Sequence, residues 1–153
     1  MRYSSLAAAL LLAATLCLVS CGPKPTSVED FSLRPLTLPS GQVIQVETMY
    51  SNMDLLRGLM YRTSLAPDHG MLFMYPHPDH YYTVMYNVLI PLDIIWMDSN
   101  RRILEIDENE QPCKGQASQC PKYGGKLISA YALEIGGGLA RKYGLQVGQL
   151  VQL

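Results

Sequence analysis

The sequence predicts an all-β domain, a small closed or nearly closed β-barrel of about seven strands with one or two short helices. Three observations carry that expectation. Short runs of β-branched and aromatic residues recur with turn signals between them, the pattern of many short strands. Glycine and proline number 12 and 10 in 153 residues, enough for frequent turns. Beyond the N-terminal stretch, no apolar pattern keeps a helical period long enough for a long helix. A domain this small hides its strand edges best by closing on itself.

The densest strand signal is Tyr82 to Asp98, which holds the only tryptophan, Trp96. Pro91 cannot donate to a ladder, so the stretch divides into a strand near 81–88 and a second at 92–98. Before it, Gln42 to Thr48 reads as the first strand of the domain. Ser51 follows as a helix cap with Asp54 in the first turn, and Gly58 ends that helix. Met53, Leu56 and Met60 lie about a turn apart, as a buried helix face requires. Met71 to Tyr75 is a short strand, and Pro76 to Asp79 a turn. Arg102 to Asp107 returns after a hairpin at Asp98 to Asn100. Leu127 to Ile135 alternates with a period of two. Leu139 to Tyr143 is about one helical turn, and Gln149 to Leu153 a last strand.

Residues 1–20 read as an export signal: Arg2 is the positive start and Leu6 to Val19 an apolar core of signal-peptide length. Leu18-Val19-Ser20-Cys21 resembles the bacterial lipobox. The resemblance implies cleavage before Cys21, lipid on that cysteine, and a lipoprotein facing the periplasm; Gly22 rather than Asp after it favours the outer membrane. Ordinary secretion is the alternative. Residues 21–40 carry Pro23, Pro25, Pro35 and Pro39, which preclude a regular helix, and read as a tether whose end docks through Phe31, Leu33 and Leu36. Residues 41–153 are then a single domain. The formal net charge of −1 offers no basic stripe for nucleic acid. With 48% hydrophobic residues, the chain is too apolar to be disordered.

Five motifs in order, Arg57-Gly58-Leu59-Met60-Tyr61-Arg62, Gly70-Met71-Leu72-Phe73, Ile90-Pro91-Leu92-Asp93-Ile94, Leu133-Glu134 with the glycines after it, and Gly144-Leu145 with Gly148, resemble the family catalogued as domain of unknown function 192. That resemblance implies a small β-barrel with a short helix, often secreted or lipid-anchored. Met85 and Asn87 keep the family pattern, whereas its neighbouring aromatic, lysine and threonine are replaced in Thr83 to Val88.

The polar residues of these motifs, Arg57, Arg62, Asn87 and Asp93, with Met60 and Met85 beside them, form the candidate ligand cluster. Arginines there could take a carboxylate or phosphate in bidentate fashion. The simpler alternative is an internal ion pair between Asp93 and one arginine, since a buried carboxylate needs a cation or several donors. Cys113 and Cys120 enclose six residues in an exported chain, and a structural disulfide is the natural pairing in an oxidising compartment. A redox or metal site is the alternative, but the spacing is not that of Cys-x-x-Cys. His69, Met71, Met74, His77, His80 and Met85 are soft ligands of the kind copper takes, yet the methionines belong to apolar strands and no ligand spacing repeats. No metal or cofactor is assigned. Gly136-Gly137-Gly138 before a helix could cradle a phosphate or turn a sheet corner. No serine has a nucleophile-elbow context, so the expected role is a non-catalytic binding module for a small ligand or protein partner. An enzyme acting on envelope material, or an assembly accessory, is the alternative.

Overall fold

A computed structural model describes residues 33–153. The export signal, Cys21 and the first part of the tether lie outside the described residues. Within them the chain is mainly β, with two short helices. The strands are β1 (Leu33–Thr37), β2 (Val43–Met49), β3 (His69–Asp79), β4 (Tyr82–Thr83), β5 (Leu92–Met97), β6 (Ile103–Glu110), β7 (Tyr123–Gly124) and β8 (Ser129–Gly136). The helices are α1 (Asn52–Arg57) and α2 (Leu139–Lys142).

Six strands form one sheet in the order β1-β2-β3-β8-β5-β6, and β4 and β7 form a separate ribbon. Neighbours in the large sheet are antiparallel except β2 and β3, which run parallel because α1 and its following loop carry the chain across between them. The sheet is not a closed ladder. Its two edges are nevertheless joined at one place by the C-terminal segment. Thr37 of β1 exchanges both backbone hydrogen bonds with Gln152 (2.8 and 2.9 Å), while Ile103 at the start of β6 donates to Gln149 (2.9 Å) and accepts from Gly148 (2.8 Å). The expected last strand is reduced to these isolated bridges.

The sheet is covered on both faces, and this explains where sequence reading and structure part. Along β5 every residue is buried. Ile95 and Met97 enter one core with Leu36, Ile44, Val46, Leu72, Leu133 and Ile135. Leu92, Ile94 and Trp96 enter a second with Met49, Met71, Phe73, Met85 and Ala132. Alternation along a strand sends neighbours to opposite faces, so each central strand feeds both cores. The second core is roofed by irregular chain. The strand expected over 81–88 is therefore only β4, after which residues 84–90 run as a loop that inserts Met85 and Val88.

Two further expectations change. Leu33–Thr37, inside the stretch read as tether, is a strand: β1 pairs with β2 along its whole length, and Leu36 and Leu38 are fully buried. The helix α1 has the expected ends, Ser51 Oγ accepting from the Asp54 amide at 3.2 Å and Gly58 closing it at φ 46°. Its expected buried face is not there: Met53 and Leu56 are 73% and 70% exposed. The helix is too short to present a stripe, and the inward contacts come from Leu55 and Leu59 instead.

The ribbon of β4 and β7 closes over Trp96. Gly124, at φ 77°, lies so close that a Cβ there would meet the indole at 2.4 Å. The indole Nε1 donates to Asp107 Oδ2 at 2.9 Å. Gly124→Ala is expected to cost about 3 kcal/mol, the upper end of overpacking penalties, read as a lowered urea midpoint.

Candidate functional site

The residues proposed from sequence do not assemble into one cluster. Arg62 forms a two-pronged ion pair with Glu47 on β2, with Nη2 to Oε2 at 2.6 Å. This fork fastens the loop after α1 to the sheet. Asn87 sits at φ 57° and donates from Nδ2 to the Tyr61 hydroxyl at 2.7 Å, while its carbonyl accepts from the Tyr61 amide at 2.8 Å. Arg57 closes the last turn of α1 on the exposed side. Met60 is half-buried after that helix, and Met85 is buried in the second core.

Asp93 is buried on the opposite face of the sheet from Met85. Among the described residues no arginine is its hydrogen-bond partner, against the ion pair expected. Its Oδ1 accepts from the backbone amides of Asn109 (2.7 Å) and Gly138 (2.9 Å), and its Oδ2 from that of Ala140 (2.6 Å). Amides at a helix start have no partner of their own, and a carboxylate from another strand takes their place here as the cap. The phosphate cradle considered at Gly136-Gly137-Gly138 is therefore filled from within the protein. Gly137 is held tightly as well, since a Cβ there would come within 2.7 Å of the Asn109 side chain.

The possible copper ligands are likewise dispersed. Met71 and Met85 belong to the second core and Met74 packs against the first. His69 pairs with Asp68 at 2.9 Å, and His80 Nδ1 is 3.0 Å from the Gly125 carbonyl. Among the described residues no group of three or more His, Cys, Asp or Glu stands at metal-binding geometry. Cys113 and Cys120 are joined by a disulfide across a Cα separation of 5.8 Å. Tyr75 and Tyr81 stack at 3.8 Å between ring centroids. Tyr82 lies under the Lys122 ammonium at 4.2 Å.

Two features were not foreseen. The first is Glu134, only 5% exposed. It lies on β8 between Met71 of β3 and Ile94 of β5. Among the described residues neither a cation nor a hydrogen-bond donor reaches its carboxylate. Burial therefore pushes its pKa up to about 8. Burial also raises the Tyr75 phenol well above its ordinary range, with the Glu134 charge adding to the effect. The period of two in Leu127 to Ile135 sends Glu134 to the face away from Leu133 and Ile135, which reads as solvent. The hint was that its companions on that face, Ala130 and Ala132, are small and apolar.

The second is a groove of about 620 Å³ on the first-core side. Leu72 and Met74 of β3 form its floor with Thr48 of β2, and Pro35, Tyr50 and Leu153 its walls. Arg34 is the one charged side chain of the lining. The volume falls in the range of small-ligand sites, and apolar walls with few polar groups are the usual composition of such sites.

The family model described as "Uncharacterized ACR" (DUF192) matches residues 36–153, nearly all of the described domain. The chain belongs to the DUF192 family. Among curated proteins none matches. Two solved structures resemble this DUF192 protein at 31% identity each. One is a protein of unknown function from Novosphingobium aromaticivorans, with a TM-score of 0.74 over 88% of this chain and 94% of that one. The other comes from Sinorhizobium meliloti, and its description proposes a transcription regulator; the TM-score is 0.68 over 77% of this chain and 89% of that one.

Asp93→Ala strands three amides, and leaving buried donors unpaired costs roughly 1–3 kcal/mol each. The expected result is a fall of about 3 kcal/mol or more in unfolding free energy by denaturant titration. Glu134 gives a pH signature. Its folded pKa stands near 8 against an ordinary 4.5, so between those values the unfolded chain sheds a proton that the folded chain keeps. This group's contribution is undiminished below about pH 4.5 and is lost as pH rises toward 8. Across that window Glu134→Gln should gain on the wild type by on the order of 1 kcal/mol per pH unit, measured as urea midpoints at successive pH values.

Proposed function

We propose that this DUF192 protein is a non-catalytic binding module for a small amphipathic ligand, held at the bacterial envelope by a lipid on Cys21 and facing the periplasm from the outer membrane. The observation that carries the binding role is the groove beside β3. Its apolar floor suits a chain or ring of carbon, and Arg34 suits a carboxylate or phosphate head group. The C-terminal segment that stitches the sheet edges, and whose Leu153 lines the groove, supports reading the sheet as a nearly closed barrel. The lipobox-like Leu18-Val19-Ser20-Cys21 supports the anchor. The pair Cys113 and Cys120 fits an oxidising compartment.

The catalytic alternative loses support, because Arg62, Asn87 and Asp93 satisfy their polar atoms within the protein. The regulator role proposed for the Sinorhizobium relative lacks support from charge, which is −1 overall here.

Native mass spectrometry of protein extracted from its host envelope is expected to show a bound small molecule. Met74→Trp, at a half-exposed position on the groove floor, should abolish that adduct with little change in melting temperature, and Arg34→Ala should weaken it. A groove empty in every preparation, or an adduct that survives Met74→Trp, overturns the assignment.

A further inference from the structure

Tyr50, Met53, Leu56, Tyr61 and Leu89 are among the large apolar side chains that stand more than half exposed. Tyr50 leads into α1, which carries Met53 and Leu56 and has no buried residue. Tyr61 follows that helix, and its hydrogen bonds with Asn87 bring the segment holding Leu89 alongside. Apolar side chains grouped in water in this way mark a surface that meets something else.

The path of the chain indicates what it meets. Leu33 pairs with Glu47, so the chain enters the sheet at the end where β2 gives way to Tyr50 and α1. Cys21 precedes Leu33 by twelve residues. A chain of that length spans at most about 40 Å when fully extended. An acyl anchor on Cys21 therefore holds the entry end of the domain within a short reach of the bilayer, and the exposed apolar side chains lie at that end. Tyr50 also belongs to the wall of the groove, which makes the apolar surface and the groove continuous.

We propose that Tyr50, Met53 and Leu56 form a membrane-docking face that seats on the lipid surface and turns the mouth of the groove toward it. A tyrosine beside two aliphatic side chains matches the chemistry of the membrane interface, where amphipathic rings sit at head-group level and apolar side chains enter the acyl boundary. The inference rests on the acyl anchor of the previous subsection for its tether, and it does not depend on which ligand the groove holds.

The test uses the full protein, purified from its host and reconstituted in vesicles of phosphatidylethanolamine and phosphatidylglycerol, a fraction of whose acyl chains are brominated. A tryptophan reporter is placed either at the docking face, Leu56→Trp, or at the hairpin between β1 and β2, Gln42→Trp, at the opposite end of β1. Both positions are exposed, so neither substitution threatens the fold. Docking predicts loss of most of the emission added by Leu56→Trp and little loss for Gln42→Trp. Equal quenching at both positions, or none at either, overturns it. Intact mass of the same preparation reports the acyl chains on Cys21. Acylation without quenching at position 56 refutes the docking face and leaves the anchor standing. Quenching at position 56 in unacylated protein supports the face and refutes the anchor.

Discussion

The carboxylate of Asp93 is the interaction on which the rest of the fold depends. It comes from β5, the strand next to one edge of a six-stranded sheet, is fully buried, and is met by three backbone amides. Those amides belong to the end of β6 and to the start of α2. One side chain thus fixes the far corner of the sheet and aims the chain that leaves β8. A charge in that position is tolerable because amide donors are supplied in number. With the corner fixed, α2 lays Ala140 on the first core, and the segment after it runs to both sheet edges.

Much of this was legible in the residues. The strand at Leu92 to Met97, the cap at Ser51, the stop at Gly58 and the helical turn at Leu139 follow from local rules that tertiary contacts did not override. The placement of Asp93 inside the apolar company of β5 was legible too, although its partners were not. Backbone amides carry no signature in a sequence, so a carboxylate that needs donors looks as though it needs an arginine. The same blindness scattered the candidate cluster. Arg62 found Glu47 on a strand well upstream, a pairing set by how the loop after α1 folds back.

Periodicity misled where the sheet is covered twice. Alternation along Leu127 to Ile135 implies one wet face, and Glu134 falls on it. In the structure that face is the second core, assembled from loops whose own patterns are weak. Residues 81–88 look like a strand in part because Met85 and Val88 are apolar, yet those two are apolar in order to roof a sheet rather than to join one. The groove escaped notice for a related reason. Its residues, from Arg34 to Leu153, come from both ends of the domain and share no motif.

The bridge between Thr37 and Gln152 has a kinetic side. It joins residues separated by almost the whole length of the domain, and through it β1 reaches the segment that β6 meets by its own bonds at Ile103. Closing so long a loop is entropically slow to begin, and topologies dominated by remote pairings fold in milliseconds to seconds rather than microseconds. Until that stitch forms, both edges of the sheet display unpaired backbone groups to any neighbouring chain. The interval between collapse and stitching is the window in which this fold is open to mispairing with its own copies.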